Sequence, residues 1–98
     1  MSEATETKKA LFPLGQIVAT PAAIDALEQT GKSPAPLLYR HQTGDWGDCG
    51  KEDAQTNDEA LQNGDRIFSV YQLDARTKVW IITEWNRSVT TILLPSDY

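Results

Sequence analysis

RIFSVYQLDARTKVWIITEWNRSVTTILL, residues 66–94, decides the fold. Three runs, Arg66 to Leu73, Lys78 to Glu84 and Val89 to Leu94, are rich in Ile, Val, Thr, Tyr and Trp and are separated by the polar links Asp74-Ala-Arg-Thr and Trp85-Asn-Arg-Ser. Those residue types fit a pleated, half-buried surface. Links of hairpin length make successive strands antiparallel neighbours. In the middle run Val79, Ile81 and Thr83 share one face and Trp80 and Ile82 the other, so both faces of the sheet are expected to be at least partly covered.

Working outward, the period changes. Lys51 to Asn63, stopped by Asn63-Gly64, reads as a helix whose apolar face is thin: Ala54, Ala60 and Leu61, with Asn57 where another apolar residue belongs. Before it, Ser33 as cap, Pro34 in the first turn, Leu37, Leu38 and His41 along one side and Gly44 as terminator predict a second short helix. Thr20, Pro21, then Ala23, Ile24 and Leu27, with Gly31 as stop, predict another. Leu14 to Thr20 contains a β-branched pair and reads as a strand delivering the chain to that helix. The expectation is therefore a single α+β domain over 11–98, ordered β-α-α-α-β-β-β, with its helices packed on a three- to four-stranded antiparallel sheet. Residues 1–10 read as a loose, polar N-terminal tail.

A chain of 98 residues with 40% hydrophobic and 23% charged content suits one modest core. No apolar run is long enough to span a bilayer, and the first residues lack the apolar stretch of a secretory signal, so a cytoplasmic protein with no membrane partner is expected. Cys49 is the single cysteine, which excludes an internal disulfide and a cysteine-rich metal site. It reads as a buried or tolerated side chain rather than a reactive thiol. No Walker loop, dinucleotide glycine fingerprint, nucleophile elbow or HExxH motif is present, and no cofactor and no metal are expected.

Charge is concentrated. Asp45, Asp48, Glu52, Asp53, Asp58, Glu59 and Asp65 face only Lys51 across 45–65, a local balance of -6 within a total of -5. Such a segment repels nucleic acid and attracts a basic protein surface. Trp46, in a turn-rich stretch, and Trp85, in a hairpin, are the aromatic candidates for an interface. These eight residues, Asp45, Trp46, Asp48, Glu52, Asp53, Asp58, Glu59 and Trp85, form the candidate partner-binding set.

His41 is the only histidine, the one side chain whose ordinary pKa suits proton transfer near neutral pH. Asp45 could orient its ring or cap the turn. Arg66, Ser69 and Tyr71 are expected to share one sheet face as a polar row, either a groove or a solvent-facing edge. Thr90 and Thr91 point to opposite faces. Glu84 and Arg87 flank a hairpin at a spacing suited to a structural ion pair.

His41-Gln-Thr-Gly-Asp-Trp-Gly-Asp, together with Trp80-Ile-Ile-Thr-Glu and Arg87-Ser-Val-Thr-Thr-Ile-Leu-Leu-Pro, resembles a family of small bacterial proteins of plasmids and other mobile elements. Its members are labelled plasmid-related or restriction-associated, and the likeness runs from about Leu14 to Tyr98. In architecture the chain is also similar to the barnase, EndoU, colicin and RelE-like ribonucleases. That second similarity implies roles for His41 as acid or base, Arg66 as phosphate clamp, and Tyr71 with Thr90 or Thr91 as hydrogen-bond donors to the scissile group.

Two functions are thus expected from different classes. One is a small acidic interaction module of the accessory genome, monomer or homodimer, that engages a basic surface of a nucleic-acid-handling or defence protein. The alternative is a metal-independent ribonuclease acting through His41, Arg66, Tyr71 and Thr91, although an acidic chain is poorly suited to a polyanion.

Overall fold

The computed structural model describes residues 9–98. Most of the tail expected over 1–10 lies outside the described residues. The elements are β1 (Gln16–Ala19), α1 (Pro21–Gln29), α2 (Pro34–Gln42), α3 (Lys51–Asn63), β2 (Ile67–Gln72), β3 (Lys78–Thr83) and β4 (Val89–Leu93), followed by a 3-10 turn at Pro95–Asp97. The α+β class and the element order match the expectation from sequence.

The sheet is mixed rather than purely antiparallel. Its order is β1-β4-β3-β2, with β2–β3 and β3–β4 antiparallel hairpins and β1 parallel to β4. The helices form the long crossover that a parallel partner requires, and three helices followed by two hairpins return the chain alongside its first strand. Gly15 makes that pairing possible. Its φ is +66°, and any Cβ there would run into the carbonyls of Arg87 and Ser88; Gln16 N–H then donates to Ser88 O at 3.0 Å.

Helix boundaries follow local chemistry. Thr20 Oγ1 accepts from Ala23 N–H at 3.1 Å, capping α1 as expected. Ile24, expected on the apolar stripe, is exposed, whereas Ala23 and Leu27 are buried. Ser33 occupies the N-cap of α2 without a side-chain bond. Gly64 closes α3 in the left-handed region at φ 76°.

The core lies between the helices and one sheet face, where Ala23, Leu27 and Leu37 meet Tyr71, Leu73, Val79, Ile81 and Ile92. A second cluster, Phe12, Trp46, Ala60 and Ile67, fills the space beneath α3. The outer edge of β2 is sealed. Asn57 of α3 receives the Phe68 N–H at 3.0 Å and donates to the Phe68 carbonyl at 2.6 Å, and Val70 exchanges backbone bonds with Trp46 O and Asp48 N. Asn57 interrupts the apolar pattern of α3 because it acts as a strand in miniature, satisfying a backbone that would otherwise seek another chain.

Candidate functional site

The His41 ring is completely buried. Its Nδ1 lies 2.6 Å from Ser69 Oγ and its Nε2 lies 2.9 Å from Thr83 Oγ1. Thr83 Oγ1 lies 2.7 Å from Thr90 Oγ1, which donates to the Leu14 carbonyl at 2.7 Å. The direction of the bonds from Nε2 onward follows from that last acceptor. Thr90 spends its only proton on Leu14 O, so it accepts from Thr83, and Thr83 then accepts from Nε2–H. Nε2 therefore carries a proton. Burial, assisted by the nearby positive charge of Arg87, lowers the pKa of His41 to about 4.

This chain of hydrogen bonds joins α2, β2, β3, β4 and the segment before β1, and it uses both ring nitrogens. Phe12 and Trp46 close over the ring at 5.3 and 6.1 Å between centroids, edge to face. A general base needs a nitrogen within reach of substrate, and none is available here. Asp45 does not orient the ring. Its carboxylate accepts from Arg40 at 2.7 Å and from Gly47 N–H at 3.1 Å.

The other residues of the ribonuclease reading lie elsewhere. Ser69 and Tyr71 share the helix-covered face, but Arg66 does not join them. It lies three positions before Ser69, an odd offset, so it belongs with Phe68 on the opposite face. There Arg66 Nη1 donates to Tyr98 Oη at 3.3 Å. Tyr71 is buried, its hydroxyl donating to Asp45 O at 2.6 Å, and burial pushes its pKa up. Thr91 faces away from Thr90, as expected, and so away from His41. His41, Arg66, Tyr71 and Thr91 therefore line no common cleft.

Within the acidic segment the structure separates two kinds of residue. Trp46, expected as an interface aromatic, is buried instead; its indole N–H donates to Asp58 at 3.1 Å, which gives Asp58 a structural task. Asp45 serves its own turn. Asp48, Glu52, Asp53 and Glu59 are exposed, and among the described residues no ion pair neutralises them. Trp85 is 66% exposed, but at the β3–β4 hairpin.

Cys49 is half-buried, and burial with nearby Asp53 raises its pKa, the opposite of an activated thiol. Arg87 makes no side-chain pair with Glu84. At φ 59° it turns its guanidinium onto the carbonyls of Ala60, Glu84 and Asp65, at 3.1, 3.1 and 2.6 Å, and so binds the end of α3 to the β3–β4 turn. Among the described residues no helix is long and apolar enough to cross a membrane, and no group of three or more His, Cys, Asp or Glu could hold a metal ion.

Thr83, Phe68 and Tyr98 escaped the sequence reading. The only signal for Thr83 was its place beside Val79 and Ile81 on a core-facing strand side, where a hydroxyl needs a buried partner. Compared with protein families, with curated proteins and with solved structures, the chain matches none.

Proposed function

We propose that this chain is a small, acidic, non-catalytic binding module that presents the outer side of α3 to a basic surface on another protein. One observation carries the reading: Glu52 and Glu59 stand exposed together on one side of α3 with no cation among the described residues paired to them, while Asn57 and Ala60 on the inner side hold the helix in place. The fold does not need that density of charge. Glu52 and Asp53 in the first turn favour the helix dipole, but Glu59 lies beyond its reach and next to Asp58. Uncompensated charge of one sign steers a partner of the opposite sign. The sequence likeness to plasmid-related and restriction-associated proteins favours a cytoplasmic role in the accessory genome, with a nucleic-acid-handling or defence protein as the partner.

The test is the double variant Glu52→Lys with Glu59→Lys. It spares Asp58, which holds Trp46. Circular dichroism and the thermal midpoint should match the native protein, while capture of partner from a lysate of the source cell is lost and native capture weakens steeply with salt. Undiminished capture by the double variant would count decisively against α3 as the contact.

A further inference from the structure

The sheet face turned away from the three helices carries a groove of about 290 Å³ beside α3, lined by Asp53, Thr56, Arg66, Phe68, Trp80 and Tyr98 over a floor of Ile82. Three aromatic rings wall it. Phe68 meets Trp80 at 5.1 Å between centroids and 82° between planes, and Trp80 meets Tyr98 at 5.6 Å and 65°. Rings set at steep angles to one another present π faces and edges from several directions around one space, as an aromatic cage for a cation does.

The groove is also polarised. The three-residue link Gly64–Arg66 reverses the chain, so α3 runs back along β2 with Asn57 opposite Phe68. Asp53 lies one helical turn to one side of that pair, about 6 Å, and Arg66 two strand residues to the other, about 7 Å. No ion pair joins them. The Trp80 side, where β3 meets Val70, is the carboxylate side. Arg66 stands at the far end, its guanidinium occupied in holding the Tyr98 hydroxyl. Thr56 and Asn57 are committed to Glu52 O and to the Phe68 backbone, which leaves Asp53 as the carboxylate lining the groove, at the end away from Arg66.

We infer that this groove receives an arginine side chain of the basic partner, stacked among Phe68, Trp80 and Tyr98 with its guanidinium on Asp53. The inference rests on the binding reading above and gives it an anchor. A carboxylate beside aromatic faces attracts a cation by two additive means. A flat guanidinium suits the slot better than a compact, strongly hydrated ammonium.

The probe is acetyl-Gly-Arg-Gly-amide, titrated into the ¹⁵N-labelled protein and followed by NMR, beside its citrulline counterpart, an uncharged near-isostere. The arginine peptide should move the Trp80 indole N–H and the Phe68 and Tyr98 amides saturably, and the citrulline peptide should bind about fivefold to tenfold more weakly. Asp53→Asn and Tyr98→Ala, both at exposed positions, should each weaken the arginine peptide by a similar factor without changing the spectrum elsewhere. An unmoved Trp80 signal, equal binding of the citrulline peptide, or shifts spread over α3 alone would overturn the cage. So would a hexauridylate oligonucleotide that moves Trp80 where the arginine peptide does not, since the groove would then take nucleobases. Loss of capture in the Glu52→Lys, Glu59→Lys variant combined with a silent Trp80 leaves the acidic helix standing without the cage; the reverse pattern leaves the cage without the helix.

Discussion

The Nε2 of His41 stands 2.9 Å from Thr83 Oγ1, 42 residues further along the chain, and that one contact sets the character of the interior. It ties the second helix to the central hairpin and passes a fixed direction of hydrogen bonding on to Thr90 and Leu14. The residue best suited to chemistry in the sequence is thereby committed to structure.

Acid should therefore unfold the protein through His41. The folded pKa of about 4 lies below the ordinary 6.5, so the unfolded chain binds the proton more readily. The stabilisation is fully present above pH 6.5 and is lost as pH falls from 6.5 toward 4, in all about 3 kcal/mol. Asp74 and Asp97, whose pKa values are lowered by local hydrogen bonds, add a loss only below the ordinary carboxylate range. Urea unfolding at pH 7.5, 5.5 and 4.5 measures the slope. A His41→Asn variant should start less stable and show a flatter profile over that window; an unchanged profile would assign the slope to other groups.

Replacing Asn57 by Leu should destabilise the fold although it restores the apolar pattern of α3. It removes both bonds to Phe68 and leaves a part-buried N–H and carbonyl without partners, a cost of about 2–4 kcal/mol. The opened β2 edge should also promote association. Urea titration reads the first effect and light scattering the second, and a monomer of native stability would refute both.

Two glycines with nearly the same backbone angle should respond differently to alanine. Gly47 at φ 74° and Gly31 at φ 70° are both left-handed. A Cβ at Gly47 would overlap the Val70 carbonyl and crowd the Tyr71 ring, while at Gly31 it meets nothing. Gly31→Ala should cost about 1 kcal/mol from conformation alone, and Gly47→Ala at least about 3 kcal/mol. Thermal and urea midpoints compare them directly; equal losses would show that the turn at 46–48 relaxes freely.

Much of the architecture was legible because it is local. The α3 bounds Lys51–Asn63 follow from helix-compatible composition and a glycine stop, and β2, β3 and β4 follow from residue type and short links. Exposure was less legible. Trp46 looked like an interface residue from its turn-rich neighbours, yet Phe12, 34 positions earlier, stacks on it at 6.4 Å. The polar row assumed for Arg66, Ser69 and Tyr71 failed on strand parity alone, an error visible in the numbering.

By itself the amino-acid sequence determined which segments become helix and strand, where they stop and where negative charge gathers, since these depend on neighbours within a few residues. Only the tertiary structure decided that β1 lies parallel to β4, that His41 is buried between the hydroxyls of Ser69 and Thr83, and that Phe68, Trp80 and Tyr98 converge beside Asp53. Those outcomes depend on segments tens of residues apart meeting once the crossover closes, and no local pattern encodes which partners a buried polar or aromatic group will find.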